Sequence, residues 1–380
     1  MTQFLRDILR QPEELRRTIG LLAGPNGNGR RRLEAATAAI RGARHAYLTG
    51  IGSSWHAALN VSVLFLGHRH PVYLHDAAEL LVFATFPKDS AMIIISRSGK
   101  STEIVQLAAK ARQAGVTVIG ITNAPEGTLA KAAHHAIVVP IAFDHAISVN
   151  TYVTLALATG ILASSVTSSL DSTLCDTLSD AFAETARAIP GWQEQIAASD
   201  WLLPRSTTYF LARGSSLGSA YESRLMWEEG VKTPATAMGT GGFRHGPQEV
   251  ITKDMRFGVW IDGAEMRQQD LAVARDLRKL GARVMLIGQQ VPEDAGDLVF
   301  RLPAIPAEWQ FLIDIIPAQL VAERLARVSG ADCDTFRLSS FIVEDEGGLL
   351  PKEATKNEHR VRRGRGTGVT EKSKSLRSRS

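Results

Sequence analysis

The sequence predicts an α/β protein of two tandem, doubly wound domains, each with a parallel sheet. Three observations lead there. Apolar runs of strand length alternate with amphipathic helical stretches along most of the 380 residues. Two strands end in the same turn: His45-Ala46-Tyr47-Leu48-Thr49-Gly50-Ile51-Gly52-Ser53-Ser54 resembles Thr208-Tyr209-Phe210-Leu211-Ala212-Arg213-Gly214-Ser215-Ser216. Further on, Ala114-Gly115-Val116-Thr117-Val118-Ile119-Gly120 resembles Leu280-Gly281-Ala282-Arg283-Val284-Met285-Leu286, so one array occurs twice.

The elements follow in order. Residues 1–29 hold a helix, because 1–17 alternates apolar residues with Arg6, Arg10, Glu13, Glu14, Arg16 and Arg17; this is not a signal peptide. The first domain spans 30–168. Its strands are expected at 46–49, 71–74, 91–95, 116–122 and 136–140, with helices after Ser54, Asp76, Ser101, Glu126 and Asn150. Residues 153–166 are apolar but fall short of the roughly 18 needed to span a bilayer, so they read as a buried core helix. A helical linker occupies 169–199, with a polar stretch over 168–177 and a helix near 179–188 that stops before Pro190-Gly191. The second domain spans 200–350, with strands at 208–211, 235–237, 256–261, 283–288 and 298–302 and a helix over 219–230.

The remaining segment, 351–380, reads as a disordered basic tail. Its last 25 residues carry nine Lys/Arg against two Glu and almost no apolar residue, so the net charge of +4 conceals an acidic body. Solvation of the tail is the simplest reading, and no nucleic-acid partner is expected. Cys175 and Cys333 form no disulfide framework; both are expected reduced, in a cytoplasmic protein with no membrane contact.

The chemistry concentrates at strand ends. Ile93-Ile94-Ile95-Ser96-Arg97-Ser98-Gly99-Lys100-Ser101-Thr102 is a strand that breaks into hydroxyls, a glycine and cations, followed by a helix. Helix N-termini carry unsatisfied donors and partial positive charge, so the loop suits phosphate. It lacks the G-x-x-x-x-G-K-[ST] spacing of a nucleotide loop. A capped turn without ligand is the alternative. At the matching place the second half has Trp260-Ile261-Asp262-Gly263-Ala264-Glu265, whose acids repel phosphate. Chemistry is therefore sought elsewhere in that half. Glu222 and Glu229, seven apart, share a helical face, while Glu228 reads as a solvated charge. Gly239-Thr240-Gly241-Gly242-Phe243-Arg244-His245-Gly246-Pro247 displays a histidine where Pro247 should open a helix. A Glu and a His can serve as base and acid in moving a sugar proton between C1 and C2. A structural salt bridge and a loop histidine are the alternative. His134, His135 and His145 have no metal-site spacing and read as surface residues.

Together, Gly52-Ser53-Ser54, Ser96-Arg97-Ser98-Gly99-Lys100-Ser101 and Phe243-Arg244-His245-Gly246-Pro247 resemble the double sugar-isomerase (SIS) domain family over about residues 30–350. That family includes the isomerase half of glucosamine-6-phosphate synthase, amino-sugar-phosphate deaminases and isomerases, and fructosamine-phosphate deglycases. The resemblance implies that Gly52, Ser53, Ser54, Ser96, Arg97, Ser98 and Ser101 hold the sugar phosphate. It implies Glu229 as the C1/C2 proton-transfer group. It implies His245 as the ring-opening acid, supplied by the neighbouring subunit of a homodimer. It implies flavodoxin-like domains, and no cofactor or metal. The chain departs from the synthase pattern: it starts without a glutaminase domain, Met226 stands where the synthase has a lysine, and the late Schiff-base lysine is replaced near Ser339 in Phe336-Arg337-Leu338-Ser339-Ser340.

The expected activity is isomerisation of an amino-sugar phosphate, or of an amine adduct of a sugar phosphate, with release of ammonia or amine. Two alternatives stand beside it: a synthase-like isomerase and aminotransferase without its glutaminase domain, and a non-catalytic sugar-phosphate sensor. A dinucleotide enzyme is the weaker reading. Gly50-Ile51-Gly52 follows a strand and Asp76 lies downstream, but Trp55 replaces the third glycine of the fingerprint.

Overall fold

The chain opens with α1 (Gln3–Ala23), capped by Thr2, whose Oγ1 accepts from the Leu5 N–H. Pro12 sits inside it and removes the N–H that Ile8 would use, but the Gln11 side-chain amide donates to the Ile8 carbonyl instead. The computed structural model describes residues 1–24, 28–202, 206–338, 342–345 and 348–349. Ser339, Ser340 and the basic tail lie outside the described residues. Residues 1–346 form one unit that holds everything below.

After α2 (Asn28–Gly42) the first sheet is laid down as β1 (His45–Thr49), α3 (Ser53–Gly67), β2 (Tyr73–Leu74), α4 (Ala77–Phe83), β3 (Ser90–Ile95), α5 (Thr102–Gln113), β4 (Thr117–Thr122), α6 (Thr128–Ala132) and β5 (His135–Val138). The strands are all parallel, in the order β2-β1-β3-β4-β5. All six residues of β3 are buried, as a strand covered on both faces requires, which explains its unbroken apolar run. Then α7 (Asn150–Val166) is buried at every residue except Ser165, the core helix expected from its sequence. Among the described residues no helix is long and apolar enough to cross a membrane.

The second sheet follows α8 (Ser172–Ala198) as β6 (Thr208–Ala212), α9 (Leu217–Met226), β7 (Ala235–Gly239), α10 (Thr240–Phe243), β8 (Arg256–Trp260), α11 (Arg267–Lys279), β9 (Arg283–Gln289) and β10 (Leu298–Leu302), with α12 (Ile315–Val328) closing the unit. Its order, β10-β9-β8-β6-β7, is the first sheet's topology read from the other edge. In both sheets the strand order reverses between the first and third strands of the repeat. That crevice is where such folds bind ligands.

Three local expectations need correction. The helix around 179–188 does not stop at Pro190 but runs from Ser172 to Ala198. Pro190 is exposed, and so is Ala186, whose carbonyl loses its partner to the proline and can turn to water. The buried stripe Phe182, Ile189, Trp192 and Ile196 continues past the proline and outweighs that loss. The helix over 219–230 is α-helical only to Met226; Trp227–Val231 forms a single π-turn, ended by Lys232 in the left-handed region. Pro247 opens only a short 3-10 turn, Pro247–Val250.

Candidate active site

The first crevice is a cavity of about 280 Å³. One wall is the β1–α3 turn, where Gly52, Ser53 and Ser54 line it. Gly52 has φ +56°, a conformation that glycine adopts without strain, and it leaves α3 with no side-chain cap. The facing wall is the β3–α5 loop, contributing Arg97, Ser98 and Ser101. Ser101 precedes α5 and makes no capping hydrogen bond. Two helix N-termini thus converge on the cavity beside a guanidinium, an arrangement that favours an anion.

The loop's own polar groups divide into two kinds. Ser96 is buried and lies outside the cavity lining; its Oγ accepts from the Gly99 N–H at 3.1 Å. Its expected place among the phosphate ligands is therefore corrected: it shapes the loop. Ser98 also folds inward in part, accepting from the Lys100 N–H at 3.2 Å, yet it lines the cavity. Lys100 is exposed and outside the lining. Arg97 donates to Ser148 Oγ at 3.2 Å and lies over the Phe143 ring. Burial pushes its guanidinium down, against the pull of Asp144 and Glu229. Asp144 also fixes the 144–151 segment, accepting from the backbone N–H of Val149, Asn150 and Thr151.

The third wall comes from the second domain. Glu229 sits in the π-turn and lines the cavity together with Leu225. Burial pushes its carboxyl up to about 7, helped by the negative charge of Glu222 and opposed by Arg97 and Lys232. Lys232 Nζ donates to the Glu229 carbonyl and to that of Thr335. Phe336, Ile342 and Val343 complete the wall, and the Val343 carbonyl accepts from the Thr102 N–H at the start of α5 at 3.0 Å.

The structure brings Gly52, Ser53, Ser54, Arg97, Ser98, Ser101 and Glu229 to one cavity. It does not bring His245 there: that residue is exposed on the turn after α10, outside the lining. Glu228 is exposed and pairs with Arg224. Met226 is wholly buried. Glu222 does not face the cavity; it meets His56, which carries no sequence signal because it lies in an apolar helix. Asp76, the acid of the dinucleotide alternative, accepts from the Ala78 N–H and caps α4.

Comparison with known proteins agrees with this fold. The SIS domain model matches residues 39–165, which hold the whole first sheet and both of its loops that line the cavity. Over that third of the chain it is similar to SIS domains. It is 23% identical over 343 residues to the glutamine–fructose-6-phosphate aminotransferase (isomerizing) of Pyrobaculum aerophilum, covering 87% of this chain and 55% of that protein. The chain thus spans about half the length of the aminotransferases it matches. Among solved structures, the C-terminal domain of the Francisella tularensis glucosamine-fructose-6-phosphate aminotransferase superposes with a TM-score of 0.79 at 20% identity, over 88% of this chain and 98% of that one. The Thermotoga maritima glucosamine-6-phosphate deaminase gives 0.75 at 22% identity, over 90% and 99%. Both coverages run through the second sheet, so the likeness in fold extends beyond the matched residues.

Proposed function

We propose that this protein moves a proton between C1 and C2 of a phosphorylated amino sugar, or of an amine adduct of a sugar phosphate, and releases ammonia or the amine. The observation that carries the reading is Glu229: a carboxyl pushed up to about 7, in the wall of a small cavity whose other side holds a guanidinium, serine hydroxyls and two helix N-termini. Near neutral pH such a group is found in both protonation states, so it can take a proton and give it back. In this reading Ser53, Ser98, Ser101 and Arg97 anchor the phosphate, and Glu229 takes the C2 proton and returns it to C1. The resulting C2 imine adds water and expels ammonia, leaving the ketose phosphate. His245 opens the sugar ring, supplied by a second copy of the chain, since within one copy it lies away from the cavity. The names of the matched aminotransferases and of the deaminase fit a substrate of this class.

The test is proton NMR of glucosamine 6-phosphate with the protein in deuterated water. Deuterium at C2, or fructose 6-phosphate appearing with ammonium, is the expected result. Saturable binding with neither exchange nor product, across amino-sugar phosphates and amine adducts, would leave a sensor. E229Q should lower turnover by roughly 10²–10⁴-fold while ligand binding persists; undiminished turnover overturns the assignment of Glu229.

A further inference from the structure

Beneath the cavity the two domains are joined by a buried polar contact with no part in the chemistry above. His56 Nδ1 lies 2.7 Å from Glu222 Oε2, with side chains 6% and 1% exposed. His56 belongs to α3, one turn below the Ser53 end that lines the cavity; Glu222 belongs to α9, which runs on into the π-turn of Glu229. The contact therefore ties the helix that starts the anion site to the helix that carries the proton-transfer carboxyl. The two helices meet closely here: a Cβ on Gly218 would overlap the His56 carbonyl oxygen and the Asn60 side chain. The Tyr221 ring stacks on the imidazole at 5.9 Å between centroids. Glu222 Oε1 is buried and has no hydrogen-bond partner among the described residues.

We propose that the His56–Glu222 pair is a positioning element for Glu229, holding α9 and its π-turn against the anion site and setting the charge that Glu229 faces. This rests on the reading of Glu229 as the proton-transfer group. The physics is short-range. A buried carboxylate with one oxygen unpartnered projects its negative charge along the helix, toward a second carboxyl two turns away. The imidazole N–H offsets part of that charge. A lone buried carboxylate would be costly, and a lone buried imidazole would do nothing for Glu229. The other charges facing Glu229 are Arg97 from the β3–α5 loop, Lys232 at the end of the π-turn and its neighbour Glu228. None of these three is fully enclosed as Glu222 is, so the influence of Glu222 is the least screened by water.

The experiment is a carbon-13 NMR titration of the full chain labelled at the glutamate carboxyls, with the Glu229 signal assigned by its loss in E229Q. In E222Q the amide keeps an acceptor for the imidazole but removes the charge, so the Glu229 midpoint should fall by about 0.5–1 pH unit. In H56F the ring volume stays but the donor goes, so the midpoint should rise. An unmoved midpoint in E222Q, or movement in the same direction in both variants, overturns the proposal. If H56F does not fold, E222Q alone decides. The titration needs no substrate, so a failure to turn over sugar phosphates leaves it intact and the two readings fail separately.

Discussion

The molecule builds the same crevice twice and uses it differently each time. Both Gly-Ser-Ser turns begin with a left-handed glycine, Gly52 at φ +56° and Gly214 at φ +51°. Both lie where the strand order reverses. In the first domain the turn and its facing loop present Ser53, Ser98, Ser101 and Arg97 to a cavity. In the second, the polar groups around the turn are drawn into internal hydrogen bonds. Arg213 Nε donates to Asp270 at 2.7 Å, and Asp270 also accepts from the Asp262 N–H. Ser216 and Ser219 both donate to Asp314 at 2.6 Å, and Ser215 donates to the Ala307 carbonyl. One pattern leaves hydroxyls and a guanidinium facing a cavity; the other sets carboxyl groups against its serines and the Nε of its arginine. The fold fixes where a site can be, and a few acids decide whether it is open.

The sharpest way to break this comparison is to remove the arginine from each crevice. R213A leaves Asp270, a carboxylate with no exposure, without its cation, which should cost about 3–5 kcal/mol of stability. Urea unfolding would read it. R97A should spare most of the stability and instead weaken inorganic phosphate or sugar-phosphate binding, by roughly 10- to 100-fold from a lost charge-assisted contact. If R97A destabilises as much as R213A, the first crevice is as closed as the second and the comparison fails.

How much of this was legible in the sequence follows from the same contrast. The sheets were legible because parallel strands buried on both faces are apolar runs, and 91–95 could hardly be anything else. The open crevice was legible because hydroxyls, glycine and arginine are packed into six consecutive residues. The closed crevice was not. Asp270 and Asp314 lie 57 residues from Arg213 and 98 from Ser216 along the chain, and only the fold brings each to its partner. His56 was hidden for a related reason, as one polar residue in a helix whose neighbours are core. Ser96 shows the opposite error: the right residue type in the right loop, turned inward to hold the Gly99 N–H. The π-turn was invisible because its residues are compatible with an ordinary helix, and it is that turn which separates Glu229 from Glu222.

A second test acts on the closed crevice alone. Burial pushes Asp314 up to about 7 despite the hydrogen bonds from Ser216 and Ser219 that favour its charged form. The native state therefore holds a proton that the unfolded chain releases near its usual value of 3.8. An acid with a raised folded pKa gives stability that is full below the unfolded value and is lost as pH rises through the folded one. From about pH 4 to about pH 7 the Asp314 contribution should thus decline, and D314N should abolish that decline, gaining up to roughly 4 kcal/mol on the wild type across the window. Unfolding midpoints measured across it should converge at the acid end. Curves that stay parallel would mean Asp314 is charged throughout, and the second crevice would then be held by a permanent anion.

The smallest effect separates shape from binding within the open crevice. Ser96 and Ser98 are two residues apart in one loop, but only Ser98 lines the cavity. S96A removes the acceptor for the Gly99 N–H, a hydrogen bond of about 1 kcal/mol, and leaves a buried donor unmet. It should lower thermal stability slightly and weaken phosphate binding only as the loop loosens, by less than the loss in S98A. S98A should do the reverse, with little change in melting and the larger loss of affinity. Equal affinity losses in the two variants would mean that the loop acts as one body, so that the hydroxyl facing the cavity binds no more than the hydroxyl behind it.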